Sequence, residues 1–446
     1  IYTQYWPVGD EGMVMQNPYW INYRNLRQNK KDRYMLNAGL SYKILDWLTV
    51  SGRVRLDNSN NDYTEKFYAS TNTQLTESSS RGLYGITKTQ DKQLYADFLV
   101  SINKYFGEDW SLQANVGGSF SDIRSDAMKT RGPIADGGDA FSGEPVGLTN
   151  YFAIQNLSAS KTQRLQEGWR EQTQSLFASA ELGYKNTYFL TLTGRNDWPS
   201  QLAGPNSNSK SFFYPSVGLS AIVSEMVDLP RFISYLKVRG SFTEVGAPIA
   251  KSGMTPGTIT TPIVGGVLQP THIYPYSDYK AERTKSYEFG LTARFLNKFN
   301  FDFTWYKSNT YNQTFIGELP ESSGYKQVYL QAGNVENRGV EMSLGYNDTF
   351  GDFSVSSSLT FTKNTNEIKE MVENYEHPLS LEPINVPEVL KDNGRVILKV
   401  GGTINDIYAN KFLKKDNQGY VNVTDKGEIM LETTDPVYLG KTTPDF

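Results

Sequence analysis

The stretch from Glu282 to Lys307, ERTKSYEFGLTARFLNKFNFDFTWYK, sets the tightest limit on what this chain can fold into. Tyr287, Phe289, Leu291, Ala293 and Phe295 alternate with Ser286, Glu288, Gly290, Thr292 and Arg294. After a turn at Asn297-Lys298, Phe299, Phe301, Phe303 and Trp305 alternate with Asn300, Asp302 and Thr304. A period of two places successive side chains on opposite faces of a strand, so this segment is a hairpin with one apolar and one polar face. No helical period fits it.

The same unit recurs along the chain. Tyr34, Leu36, Ala38, Leu40, Tyr42 and Ile44 predict one strand, and Leu48, Val50, Val54 and Leu56 the next. Further pairs are expected at 91–105 with 110–122, 175–185 with 188–195, 212–222 with 235–245, and 338–346 with 352–362. Residues 1–32 read as irregular, and 363–446 as weakly patterned. The pattern predicts roughly twelve strands of about ten to fourteen residues, long enough to cross a bilayer when tilted. Their connections alternate. Short turns fall near Asp46, Gly107, Asn186, Asn297 and Asn347, and long loops span about 58–90, 123–171, 198–210, 246–282 and 311–336. Long connections on one side and short turns on the other mark an outer-membrane barrel with long extracellular loops and short periplasmic turns. Tyr42, Trp47, Trp110, Tyr184, Tyr188 and Phe299 would then form an aromatic girdle at the short-turn side.

Composition narrows the classes. The chain has 446 residues, a net charge of −4 and no cysteine. Nucleic acid is therefore not an expected partner, and no disulfide, thiolate nucleophile or cysteine metal site exists. Mean hydropathy is −0.50, and no apolar run is long enough for a transmembrane helix. That excludes a helical membrane protein but not a barrel, whose strands place apolar residues only at alternate positions. The chain opens at Ile1 without a signal peptide, and we expect it to be part of a longer protein.

Catalytic chemistry is hard to find. His272 and His377 fall in expected loops, away from metal partners, and no nucleotide, hydrolase or zinc-protease motif occurs. Asp136-Gly137-Gly138-Asp139 lacks the ligand ladder of a calcium loop. No enzyme activity, metal or cofactor is expected. Aromatic residues assigned to the long loops, Tyr151, Phe152, Trp169, Trp198, Tyr274, Tyr276 and Tyr279, are the candidate ligand contacts, because flat rings stack on sugars and grip peptides. These residues alone leave open an active importer, a passive porin or an adhesive barrel.

Several segments resemble the SusC/RagA family of TonB-linked outer-membrane transporters. Glu282 to Leu291 (ERTKSYEFGL) and Thr304 to Asn309 (TWYKSN) resemble one family hairpin. Gln331 to Glu341 (QAGNVENRGVE), Phe213 to Gly218 (FYPSVG) and Leu236 to Ser241 (LKVRGS) are similar to others, as are Asn17 to Trp20 and the end at Pro444 to Phe446. The resemblance implies an antiparallel transmembrane β-barrel of about 22 strands, of which this chain holds about 12 from the middle. Residues 1–446 would be part of one such barrel domain, with the N-terminal plug and last strands outside the chain. It further implies a multi-pass protein of the Gram-negative outer membrane that imports nutrients too large for porins, either oligosaccharide (glycan) fragments or peptides. The implied partners are outer-membrane lipid, a SusD-like surface lipoprotein and the TonB-ExbB-ExbD energy complex, the last reached through the N-terminal region.

Overall fold

The computed structural model describes residues 17–136, 139–140, 147–203, 210–248, 263–264, 267–268, 273–274, 280–319, 327–376, 380, 382–391 and 396–443. Twelve long strands dominate. They are β1 (Asn25–Leu45), β2 (Leu48–Tyr68), β3 (Gly82–Phe106), β4 (Trp110–Pro133), β5 (Gln163–Tyr184) and β6 (Tyr188–Pro199). Then come β7 (Phe212–Ile222), β8 (Ile233–Ala247), β9 (Glu282–Phe295), β10 (Phe299–Glu318), β11 (Gln327–Phe350) and β12 (Phe353–Glu370). Each lies beside its predecessor in sequence, in one antiparallel sheet. Contacts divide the chain into two compact units, one of residues 1–42, 51–98 and 119–174, the other of 43–50, 99–118 and 175–446.

The expected hairpin is β9 and β10, in register from Arg283 opposite Tyr311 to Phe295 opposite Phe299. Registers on either side carry its two faces across the second unit. Val238 meets Leu291, which meets Phe303, which meets Met342, which meets Phe361. One residue along, Lys237, Thr292, Asp302 and Ser343 form a polar row. The apolar face is not covered by protein: Leu359 is 69 % exposed, Leu219 61 % and Leu40, in the first unit, 78 %. A face of bare leucines and phenylalanines on an ordered sheet fits lipid as its solvent. From Phe295 to Tyr287 this band runs about 27 Å along the strand, close to the height of a barrel's apolar belt once tilted.

Both borders of the band are drawn by side chains. At the short-turn side, Trp110 packs on Tyr184 at 4.6 Å and Phe299 on Tyr346 at 4.9 Å. Lys104 lies over Trp47, and Lys298 reaches Asp348 at 2.7 Å. Trp47, Trp110, Tyr184 and Phe299 belong to the expected girdle set, and Tyr346 joins them here, a placement in which lysine side chains can extend from an apolar edge toward water. At the long-loop side of the second unit, the same face changes to ion pairs, Arg283 with Glu244 and Lys307 with Glu336. In the first unit Arg170 with Asp122 does the same between β5 and β4.

Four expectations need correction. The strands run to between 11 and 25 residues, several far beyond the expected length. The strands reach into the expected loops accordingly, so β2 and β3 leave only 69–81 between them and β4 and β5 only 134–162. Beyond the bilayer both faces of a hairpin meet water, so the period-two apolar signal fades while the hydrogen-bond ladder continues. The last short turn is Gly351-Asp352 rather than Asn347, which stays paired with Ser356. Residues 18–24 form a helix, α1 (Pro18–Arg24), capped by Asn17 with proline at its start.

The weakly patterned C-terminal region also folds. Strands β13 (Val372–Tyr375) and β14 (Ile384–Val386) pair. A four-stranded sheet follows, of β15 (Glu388–Lys391), β16 (Val396–Lys399), β17 (Asp406–Leu413) and β18 (Leu431–Lys441). Phe315, Val328, Leu330, Ile368, Val372, Ile384 and Leu398 bury a common core where β10, β11 and β12 leave the band. Each such side chain contributes about 1.5–3 kcal/mol of burial. This cluster of large buried apolar side chains lies in the water-facing part, where protein must supply the apolar environment that lipid supplies to the band.

The two faces make opposite predictions. Leu359→Arg, at the middle of the apolar band, should lower the stability of the folded protein in bilayers by about 2–4 kcal/mol, and its neighbour Thr360→Arg by less than about 1 kcal/mol. Equal losses in urea unfolding from lipid vesicles would contradict the assignment of the faces.

Candidate functional site

Two arrangements stand out, a folded platform at the long-loop side of the first unit and a hydrogen-bonded lattice on the polar face of the second.

The platform is built from α1, the 69–81 loop and the 134–162 loop. Trp20 is buried and donates its indole N–H to Thr71 Oγ1 at 3.0 Å, and Thr71 donates in turn to Asn25 Oδ1 at 2.9 Å. The side chain of Asn156 is the hub of the 134–162 loop. Its Oδ1 accepts from the Leu148 N–H, and its Nδ2 donates to the Leu148 and Tyr151 carbonyls at 2.8 and 2.7 Å. The Asp139 carboxylate accepts from both the Ser158 and Ser160 hydroxyls, which hold it below the usual carboxylate range. Buried Ile134 and Leu157 face each other in an antiparallel bridge under this loop. Ties at this many points hold the described residues 147–162 in fixed positions.

The candidate aromatics separate in this frame. Tyr151 is 49 % exposed beside the Asn156 hub, flanked by exposed Leu148 and Ile154. Phe152 instead packs edge-on against Tyr68 at 4.9 Å, with Tyr84 beyond it, so it anchors the loop. Trp169 and Trp198 are not loop residues. Trp169 is half-buried within β5, and Trp198 lies near the end of β6 with the parity of the lipid-side residues Leu190 and Leu192. Tyr274 sits in a two-residue strand, Ile273–Tyr274, paired parallel to β11. Tyr276 and Tyr279 lie outside the described residues, as do His272 and His377. No group of three or more metal-binding side chains occurs among the described residues.

The lattice on the polar face was not anticipated. Arg239 on β8 reaches across β9 to Asp302 on β10, where Nη1 and Nη2 contact the two carboxylate oxygens at 3.2 and 3.1 Å. The same guanidinium donates to Thr292 and Thr304, and Thr292 donates to Asp302 at 2.6 Å. Gly290 lies directly between, opposite Arg239 on one side and Thr304 on the other. A Cβ there would collide with the guanidinium and stand 2.9 Å from Arg239 Cγ, so the glycine is what lets the arginine cross. On other strands, Arg195 pairs with Asp197, which accepts from Tyr214 at 2.7 Å, and Asn115 links Ser101 to Ser179. Charged residues at polar positions of strands two apart were the available signal, but only the register shows which ones meet.

The sequence model of the family described as "TonB dependent receptor-like, beta-barrel" matches residues 2–388. The chain belongs to this family. TonB-dependent receptor P3 of Formosa agariphila is 24% identical over 377 residues, covering 82% of this chain and 35% of the relative. TonB-dependent receptor P26 of the same organism is 26% identical over 371 residues, covering 76% and 35%. The RagAB peptide transporter superposes with a TM-score of 0.72 at 17% identity, covering 95% of this chain and 45% of that one, which shows a common fold. This receptor chain spans about a third of the length of those curated relatives and less than half of the solved transporter chain. The expected fold class, an antiparallel outer-membrane β-barrel, stands, and with it the placement in the Gram-negative outer membrane. The family is one of transporters and receptors rather than enzymes.

Two measurements test the receptor's arrangement. Gly290→Ala should push Arg239 off Asp302 and cost about 1–3 kcal/mol, whereas Gly240→Ala, with open space at its Cβ apart from a carbonyl 3.8 Å away, should be nearly neutral. Equal thermal midpoints for the two variants would remove the crossing role of Gly290. The second concerns pH. Because folding lowers the Asp139 pKa from its ordinary 3.8, the hold on the 134–162 loop is complete above that value and lost as pH falls through the lowered one. Amide exchange at Ala159 and Ser160, corrected for its intrinsic pH dependence, should stay slow down to about pH 4 and accelerate below it. Asp139→Asn should accelerate it already at neutral pH, and unchanged exchange in that variant would contradict the role given to the carboxylate.

Proposed function

We propose that the chain is part of an active outer-membrane importer of nutrients too large for porins, oligosaccharide (glycan) fragments or peptides. The observation that carries this reading is the family match along most of the chain. In this reading residues 1–446 belong to one barrel domain of a longer receptor. The plug and the TonB-contacting segment lie in the remainder of that receptor, and TonB-ExbB-ExbD supplies the energy. A SusD-like surface lipoprotein covers the long-loop side, a partnership supported by the common fold with RagAB, described as a peptide importer.

Substrate contact is assigned to the platform. Tyr151 is the leading aromatic, because its ring is exposed while its backbone is held by Asn156. Trp169, Tyr274, Tyr276 and Tyr279 remain candidates of the same kind, whereas Phe152 supports the loop and Trp198 fits the outer rim of the lipid belt. The polar lattice around Arg239 and Asp302 serves as a wetted inner wall, stiff enough to keep its shape while a substrate passes.

The test uses cells carrying the whole receptor and labelled oligopeptides or oligosaccharides. Accumulation should fall to the level of receptor-free cells when TonB is removed. Tyr151→Ala should weaken surface binding of the imported class about three- to tenfold without lowering receptor abundance. Accumulation that persists without TonB would instead support a passive porin.

A further inference from the structure

On the lipid-side face of β9 to β12, a row of cations stands immediately beyond the apolar band. Lys307 on β10 lies opposite Tyr287 of β9 and directly opposite Arg338 of β11. Lys285 is two residues from Tyr287 on the same face of β9, and its ammonium lies over the Tyr311 ring at 5.8 Å. Lys363 of β12 pairs with Val340, two residues from Arg338 and again on the same face. Four neighbouring strands thus carry one cation each at nearly one level, just past Trp305, whose backbone pairs with Val340.

Like charges facing one another across strands repel and are destabilising unless an anion sits between them. The protein balances only part of the row: no carboxylate lies within ion-pair distance of Lys285, Arg338 or Lys363 among the described residues. Lys307 Nζ meets Glu336 Oε2 at 2.9 Å, and this carboxylate is only 8 % exposed, shut in beneath the row. Two further acids on this face stand at the level of Lys285, Glu244 directly opposite it on β8 and Glu367 opposite Glu336 on β12, and their contacts are with Arg283 and Lys369. Glu288 and Glu341 point to the opposite face, at the parity of Thr304. Lys285, Arg338 and Lys363 are exposed and make no ion pair among the described residues. The lysines at the other border are arranged differently: Lys104 and Lys298 sit over aromatic rings, and Lys298 has Asp348.

We propose that Lys285, Lys307, Arg338 and Lys363 form a binding surface for the phosphate groups of lipid headgroups in the leaflet on the long-loop side. The surface is continuous with the apolar band, so the acyl chains of the same lipid lie along Phe303, Met342 and Phe361 while its phosphates meet the cations. The planar guanidinium of Arg338 binds phosphate in bidentate fashion, and the lysines act as point charges on either side. Charge complementarity selects the occupant. A neutral headgroup would leave the row unbalanced, and a free anion would forfeit the adjoining apolar contact. The site rests on the membrane-spanning fold and is independent of what the receptor imports.

The test uses the full-length receptor in phosphatidylcholine nanodiscs supplied with a bis-phosphorylated glycolipid or its dephosphorylated form, with bound lipid counted by native mass spectrometry. The wild type should retain the phosphorylated form selectively. The combined variant Lys285→Gln, Arg338→Gln, Lys363→Gln should lose this retention by more than about tenfold, and Arg338→Gln alone by about three- to fivefold. Arg338 is exposed and unpaired, so the single variant keeps the test decisive if the combined one fails to fold. Lys104→Gln, at the opposite border, should leave retention unchanged. Undiminished retention in Arg338→Gln, equal retention of the dephosphorylated lipid, or full displacement by inorganic phosphate would overturn the proposal, the last by showing a free-anion site only.

Discussion

Everything in this structure depends on one requirement, that a backbone crossing lipid must satisfy each N–H and C=O within the protein. An unbroken antiparallel ladder does so, and it leaves side chains only two directions in which to point. The registers from β6 to β12 are the consequence. They hold Val238, Leu291, Phe303, Met342 and Phe361 in one row, and Lys237, Thr292, Asp302 and Ser343 in the adjacent one. A slip of one residue would exchange lipid-facing and water-facing sets together, so the register is strongly specified by solvent on both sides.

The same requirement explains how chemistry is distributed. The apolar face has no protein partner in the band, and its ionic contacts begin where the band stops, at Arg283 with Glu244 and Lys307 with Glu336. The polar face is tied laterally instead, most fully where Arg239 crosses Gly290 to Asp302. Beyond the ladder, the Asn156 and Trp20 hydrogen bonds replace sheet pairing as the source of order.

How legible this was in the sequence follows from which solvent each residue meets. Where lipid lies on one side and water on the other, Tyr287 to Phe295 and Phe299 to Trp305 spell out strand, face and turn. Where water lies on both sides the pattern falls silent, and β2 therefore continues through 58–68 without an alternating signal. Trp169, within β5 yet expected in a loop, falls in such a stretch. The Arg239 to Asp302 contact joins residues 63 apart in sequence and needed the register to be seen. The ERTKSYEFGL segment shows both sides of this. Its alternation was readable at once, while the purpose of its glycine appeared only when the arginine above it was in place.

The core formed by Leu330, Ile368, Val372, Ile384 and Leu398 has a mechanical consequence. Close-packed interiors switch between discrete arrangements and bend little, so the tops of β10 to β12 and the small sheets fastened to them act as a stiff post. Any motion at the mouth of the receptor that involves this region must carry the post as a unit or pull its core apart. Compliance is then left to segments that lack such a core, and a load applied to the small sheets passes directly into the strands that cross the membrane.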